Sequence, residues 1–589
     1  MNKSKYVGMP ILLAAGMLTA VSCSDFDDYN KEVTDPVASA NLTLWENIQH
    51  NAQLSDFAQL VKKAGFDDEL NETHYYTVWA PLNGTFDASP FQGLESSALL
   101  KQFVMNHIAD FRHSATGSLE ERVLMLNEKS YDFAGTSSYT FGEKVVSEAN
   151  LPSSNGLIHT LQGAVPFYPN LYEFVTEPSL AIGKNIDSLR HYFQKYEQTY
   201  LDEEASVPGP IVDGMQTYVD SVMVTNNTLW GMLDARMTNE DSTYTVLMPT
   251  NDAWLKSYNK IKSYYNFAPT TNAQTFMGGN INSTPATLTI DNAYWQDSIA
   301  SLYLVNNLFY SNNDIYNQWV EGTPSAWGSD TLRSTTRTKL SNPRDIFRQV
   351  RQTVELSNGK AHIVDSLAMY PWETYAPERD ITPNGQTIAR VATGSYTTHR
   401  VRILNNYREP EDLSYIHVIP SGGYARPELD MFLPGVLSTT YSFYCVFAYP
   451  FDDPTVVDST LLPNRVIFTL SYCNENGELK EYTFLDESEE NITSFQDRFN
   501  LADNNTNRTT IRGFSNNPKL LVDTVYLGDF TFPVCYAGLG EDYRPNIKIT
   551  SPFSVFNKNL TAAFTRDLRI AAIILKPKEL VEFEESNKK

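Results

Sequence analysis

The sequence predicts an α+β protein: two related mixed domains in tandem, followed by an antiparallel all-β sandwich. Two observations carry this expectation: a set of motifs that occurs twice in the same order, and a C-terminal third written in alternating aromatic and β-branched runs. A third removes a competing class. The four cysteines, at 23, 445, 473 and 535, are too few for a disulfide scaffold.

Internal repetition decides the architecture. Tyr75-Tyr76-Thr77-Val78-Trp79-Ala80-Pro81-Leu82-Asn83-Gly84-Thr85-Phe86 returns as Thr243-Tyr244-Thr245-Val246-Leu247-Met248-Pro249-Thr250-Asn251-Asp252-Ala253-Trp254. Each reads as a short apolar strand, a proline stop, an asparagine turn and an aromatic opening the next element. Phe103-Val104-Met105-Asn106-His107-Ile108 corresponds to Tyr303-Leu304-Val305-Asn306-Asn307-Leu308. Ser154-Asn155-Gly156-Leu157-Ile158-His159 corresponds to Ser357-Asn358-Gly359-Lys360-Ala361-His362. Asn106 precedes Asn155 by 49 positions and Asn306 precedes Asn358 by 52, so these pairs are not accidental. Pro81 to Asn106 is 25 positions whereas Pro249 to Asn306 is 57, which places an insertion of about 32 residues in the second copy. Its body is the polar stretch Asn266 to Thr289, expected in a loop.

These motifs resemble the fasciclin-type domain over roughly residues 42–175 and 220–375. The resemblance implies a small α+β fold, a bent sandwich or wedge with packed helices, and a role in adhesion. The chain departs from the family at the central motif, where relatives often carry a Tyr-His pair and this chain has Asn106-His107 and Asn306-Asn307. Adhesive peptides mapped there in relatives therefore do not carry over. Physical chemistry accounts for the other motif residues as structure. Asn155-Gly156 and Asn358-Gly359 favour tight turns at positive φ. Pro81 and Pro249 end strands because proline supplies no ladder donor. His159 and His362 are expected to hydrogen-bond neighbouring backbone inside the fold.

Between the copies, Leu189, Tyr192, Phe193 and Tyr196 fall at helical spacing, predicting an amphipathic helix from Ile186 to Tyr200. A charged, proline-containing stop follows at 201–210, and a strand resumes at Tyr218–Val222; the unit reads as packing between domains. From about Thr398 the text changes. Strands are expected around Phe443–Tyr449, Val466–Cys473, Leu479–Leu485, Leu521–Leu527, Phe530–Tyr536, Ile547–Thr550 and Leu568–Leu575, with Asn474-Glu475-Asn476-Gly477 as a hairpin turn. The resulting division is 1–22 signal peptide, 23–41 acidic tether, 42–175 first domain, 176–376 helical bridge with second domain, and 390–580 sandwich.

The N-terminus supplies an address. Lys3 and Lys5, an apolar run from Val7 to Val21, and Leu18-Thr19-Ala20-Val21-Ser22-Cys23 resemble a secretory signal ending in a lipobox. The resemblance implies acylation of Cys23 and anchoring in outer-membrane lipid. The acidic run Ser24-Asp25-Phe26-Asp27-Asp28 resembles the surface-export signal of Bacteroidota lipoproteins. That context suggests a TonB-dependent transporter, a glycan-binding lipoprotein, a polysaccharide or an extracellular protein as partners. The net charge of −25 opposes nucleic-acid binding, which depends on neutralising phosphates.

No catalytic constellation stands out: there is no Gly-x-Ser-x-Gly, His-Glu-x-x-His, P-loop or Gly-x-Gly-x-x-Gly sequence. No cofactor or metal is expected, and Asp503-Asn504-Asn505-Thr506-Asn507 lacks the glycine and distal glutamate of a calcium loop. The reading is a non-enzymatic surface protein, with direct glycan capture as the alternative. Trp319 and Trp327, in a polar stretch, either stack on a ligand or pack into a core. Tyr441 and Tyr444 present the same two options in the sandwich.

Overall fold

The computed structural model describes residues 41–212, 214–240, 242–268, 270–273, 286–289, 291–317, 331–403, 411–448, 464–484, 522–539 and 544–588. Cys23, Trp319, Trp327 and Asp503–Asn507 lie outside the described residues. The chain divides into two compact units, Met1–Ile182 and Gly183–Lys589. No helix among the described residues is long and apolar enough to cross a membrane.

The first unit is organised by a seven-stranded sheet. Helices α1 (Leu44–His50) and α2 (Ser55–Ala64) precede strand β1 (Tyr76–Pro81). Two short helices, α3 (Ser89–Gln92) and α4 (Ser96–Leu99), lead to β2 (Ile108–Asp110), β3 (Leu119–Leu124), β4 (Ser130–Gly135), β5 (Tyr139–Phe141), β6 (Lys144–Ser153) and β7 (Gly156–Leu161). The sheet order is β2-β1-β7-β6-β5-β4-β3, and β1 runs parallel to β7 from Tyr76↔Gly156 to Pro81↔Leu161. Both central strands are buried at every position, as expected for strands covered on both faces. Register shifts in β6 at Val146/Glu148 and Glu148/Leu151 mark bulges, which bend a strand. The sheet folds back accordingly, and Trp79 of β1 stacks on Phe141 of β5 at 4.2 Å and meets Phe133 of β4 edge-on. Its other face packs on Leu44, Ile48, Phe57, Val61 and Phe103. Helix α5 (Leu171–Thr176) buries Glu173 against Lys129 at 2.8 Å and Lys101 at 3.1 Å.

The second unit opens with α6 (Asp187–Gln194). Here the expected helix to Tyr200 is corrected: the chain leaves the helix at Lys195 and enters β8 (Glu197–Leu201), which pairs with β11 (Met223–Asn227). Aromatic and β-branched side chains over 196–200 satisfy a ladder as readily as a helix face. Between them β9 (Val207–Val212) and β10 (Met215–Asp220) form a second ladder, so 197–212 and 214–227 carry two successive two-stranded ladders, interrupted at Asp202–Ser206 and together called the ribbon.

The repeat then reappears. Strand β12 (Tyr244–Pro249) is followed by α7 (Asn251–Ser263), the short ladder β13 (Thr270–Ala273) with β14 (Ala286–Thr289), α8 (Asn292–Val305) and β15 (Phe309–Ser311). After a small ladder of β16 (Leu332–Arg333) and β17 (Lys339–Leu340) come β18 (Val350–Leu356) and β19 (Gly359–Val364). The sheet order β15-β12-β19-β18 repeats β2-β1-β7-β6 of the first unit. β12 runs parallel to β19 from Tyr244↔Gly359 to Pro249↔Val364, the same six-residue register as β1 and β7.

The C-terminal strands form two antiparallel sheets. One holds β22 (Gly394–Ile403), β23 (Glu411–Pro420), β30 (Leu568–Pro577), β25 (Thr440–Ala448) and β28 (Val522–Thr531) in that order, with β20 (Arg379–Ile381) on β30. The other has the order β21 (Ile388–Ala392), β24 (Glu428–Phe432), β29 (Asn546–Thr550), β26 (Ile467–Cys473), β27 (Leu479–Phe484). Phe443 and Phe530 of the first sheet meet Phe484 and Tyr472 of the second at 4.9 and 4.8 Å, which sets the sheets face to face. The expected strand Phe530–Tyr536 is not separate. Phe530 and Thr531 end β28, and the chain then turns so that Cys535 N donates to Asn266 O at 2.7 Å. The second repeat and this sandwich are joined further by Tyr264 Oη donating to Glu579 at 2.7 Å and by Phe583 against Tyr370 and Trp372. Glu579 and Phe583 lie on a terminal helix, Lys578–Asn587, that the strand pattern does not announce.

Candidate functional site

The repeated motif residues come together in both repeats, and the structure assigns each a local task. Asn83 and Asn251 reach back to the helix before their strand. Asn83 Oδ1 accepts from Asp56 N at 3.0 Å, and Asn251 Oδ1 accepts from Ser188 N at 2.8 Å. Each thereby satisfies a free N–H in the first turn of α2 or α6, a cap supplied from a distant segment. Asn155 Nδ2 donates to Leu70 O at 2.9 Å and Glu72 O at 2.6 Å, while its Oδ1 accepts from Leu44 N at 2.7 Å. Asn358 Nδ2 likewise donates to Met237 O at 2.8 Å and Asn239 O at 3.2 Å. The adjoining glycines are required by close approach. A Cβ on Gly156 or Gly359 would fall inside the contact radius of the carbonyl of Tyr76 or Tyr244. Positive φ, expected at both, occurs only at Gly359, with φ 140°. Pro81 and Pro249 are the last residues of β1 and β12.

His159 lies opposite the β6 bulge. Its Nδ1 accepts from Asn150 N at 3.3 Å, which leaves Nε2–H to donate to His113 O at 2.9 Å. His362 Nδ1 instead meets the Thr353 hydroxyl at 2.9 Å, a side-chain rather than backbone partner. His107, within the central motif, bonds Phe103 O through Nδ1 at 2.8 Å and accepts from Val165 N through Nε2 at 2.9 Å. Burial pushes all three imidazoles down from 6.5 to about 4. The unfolded chain therefore binds more protons between those values, and stability present above pH 6.5 is lost as the pH falls toward about 4. His107→Asn, which copies the residue at 307, is expected to lower stability at neutral pH and flatten that acid-side loss. Urea unfolding across this pH range measures both.

In the second repeat Asn307 keeps the helical bond, Nδ2 donating to Tyr303 O at 3.3 Å, but its Oδ1 has no partner among the described residues. The shorter side chain borders a cavity of about 50 Å³ lined also by Tyr303, Leu367 and Met369.

The surface candidates fare differently. Tyr441 is fully buried, its hydroxyl accepting from Leu437 N at 3.2 Å, so it is not placed to meet a ligand. β25 is covered on both faces, and residue alternation therefore names no solvent side. Tyr444 is half-buried beside Tyr526 at 5.3 Å. An open polar cleft of about 420 Å³ is lined by Asp234, Ser311, Asp314, Arg333, Thr335 and Arg337, among others. Arg333 Nε donates to Asp314 at 2.6 Å and the guanidinium lies 4.7 Å from the Tyr316 ring. Asn317 and Arg333, which flank the segment carrying Trp319 and Trp327, hydrogen-bond each other here at 2.8 and 2.9 Å. Cys445, Cys473 and Cys535 are free thiols. Among the described residues no group of three or more His, Cys, Asp or Glu side chains is placed to hold a metal ion.

A solved FAS1 domain pair from the insect cell adhesion molecule fasciclin I is 13% identical, aligned over 55% of this chain and 99% of that one, with a TM-score of 0.19. Curated proteins give no match. The fasciclin domain family model matches residues 52–164, from the turn before α2 to just beyond β7.

Proposed function

We propose that the chain is a non-enzymatic cell-surface lipoprotein, held in the outer membrane through an acylated Cys23 and acting in adhesion or as an interaction scaffold. Its setting is accessory to a glycan-import system, beside a TonB-dependent transporter and a glycan-binding lipoprotein. One observation carries the reading: Asn155 and His159 in the first repeat, and Asn358 and His362 in the second, bond internal partners, as parts of a framework. The fasciclin domain at 52–164, a type associated with adhesion at cell surfaces, supports it.

The polar cleft at Asp314, Arg333 and Arg337 supports direct glycan capture as a second reading, since its volume admits a saccharide ring and its walls offer donors and acceptors. Calorimetric titration of the full chain with a panel of polysaccharides separates the two. The scaffold reading expects no heat of binding and co-purification with an outer-membrane transporter. Saturable binding that disappears with Arg337→Ala would establish capture instead, and turnover of any polysaccharide would overturn both.

A further inference from the structure

The two repeats share their framework closely enough that what one adds can be measured. In the first, the end of α2 at Ala64 is six positions from Leu70, whose carbonyl Asn155 clamps. In the second, the end of α6 at Gln194 is 43 positions from Met237, the equivalent carbonyl clamped by Asn358. The framework closes without the extra residues in one repeat and carries them in the other. They are the β8–β11 and β9–β10 ribbon.

This ribbon does not pack as a folded element normally does. Among the described residues β9 pairs with β10 and β8 with β11 and with nothing else, so both outer edges are open. Its side chains are apolar but face solvent: Ile211 is 69% exposed, Met215 71% and Val219 77%. Tyr200, Val207, Val212 and Met223 are exposed as well. A bare two-stranded ribbon is marginal in water, and open apolar edges are a liability that proteins normally cover. The base is nevertheless built in. Asn227 is buried, Nδ2 donating to Phe193 O and Oδ1 accepting from Leu229 N, and Gly214 at φ 80° closes the tip.

Charge selects what covers it. Residues 197–227 contain Glu197, Asp202, Glu203, Glu204, Asp213 and Asp220 and no Lys, Arg or His. Two such ribbons repel each other, as does an anionic lipid surface. We propose that the ribbon is a docking arm for a partner protein that presents an apolar groove rimmed by Lys and Arg. The apolar side chains supply burial and the acidic rim supplies orientation and encounter rate. The arm deepens the scaffold reading by giving it a contact surface.

The test uses the full chain and a defined probe, an amphipathic peptide of leucine and lysine, with a leucine–glutamate peptide as control. The lysine peptide should bind saturably, more weakly as salt rises from about 0.15 to 0.5 M, and the glutamate peptide should not bind. The charge-neutral variant Ile211→Ser/Met215→Ser/Val219→Ser should lose about tenfold or more in affinity. Glu203→Lys/Glu204→Lys, which leaves the apolar tip intact, should also weaken binding. Equal binding by wild type and both variants, or no binding at all, overturns the arm. So does self-association in sedimentation that the triple variant abolishes, or binding to neutral phosphatidylcholine vesicles, since these name a second copy or lipid as the occupant. Arm-dependent peptide binding without attachment by cells displaying the chain would sink the scaffold reading and leave the arm standing.

Discussion

Gly359→Ala is expected to destabilise the second unit by about 3 kcal/mol or more, the range for a forced backbone shift combined with an unfavourable φ. Both terms operate at this position. Gly359 has φ 140°, in a region nearly closed to residues with a Cβ, and its Cβ would press on the backbone of Tyr244. That backbone cannot retreat without breaking the parallel register from Tyr244↔Gly359 onward. Gly156→Ala is the internal comparison. Gly156 has no positive φ, and part of its clash is with the flexible end of Leu44 as well as the Tyr76 carbonyl. Its cost should be the smaller of the two. Urea unfolding of the full-length variants, followed by near-ultraviolet dichroism, orders them; an unchanged midpoint for Gly359→Ala would refute the close-approach account.

Lys129→Ala should cost the first unit about 3–5 kcal/mol, the range for removing one partner of a buried ion pair. Lys129 and Glu173 are both buried and 2.8 Å apart. Burial alone would raise the Glu173 carboxyl, but Lys129, Lys101 and the Asn170 N–H outweigh it and hold the group below the usual carboxylate range. With Lys129 gone, Lys101 remains at 3.1 Å but is partly exposed and screened. A folded-state pKa below the unfolded one contributes stability above the unfolded value that is lost as the pH falls through the folded one. Lys129→Ala should shrink that carboxylate contribution, and thermal unfolding compared at neutral and acidic pH detects the change. Replacing both partners, Lys129→Met with Glu173→Leu, should recover much of the loss, because the penalty lies in the stranded charge.

The framework is legible in the sequence because it is encoded locally. Pro81 and Pro249, with Asn155-Gly156 and Asn358-Gly359, mark the ends of the four central strands, and their spacing placed two copies in one order. The tasks of the asparagines were not legible, since Asn155 acts on Leu70 and Leu44, 85 and 111 positions away. The glycine requirement was legible in identity and misread in cause at Gly156, where contact rather than φ decides. The ribbon was obscured by Leu189, Tyr192, Phe193 and Tyr196, whose helical spacing continues past the residue where the helix stops. Its best local signal was Asp213-Gly214 between Ile211-Val212 and Met215, a pairing favoured in two-residue hairpins. Tyr441 shows the reverse limit: alternation locates a strand, whereas burial of both faces depends on the neighbouring sheet.

The claim that the chain is an interaction scaffold is tested most directly by cross-linking the full-length protein on intact cells that make it and identifying its neighbours by mass spectrometry. The account predicts cross-links to another outer-membrane protein, at a yield that falls when Ile211, Met215 and Val219 are changed to serine. Cross-links confined to the chain itself, with yield indifferent to those three residues, would contradict it.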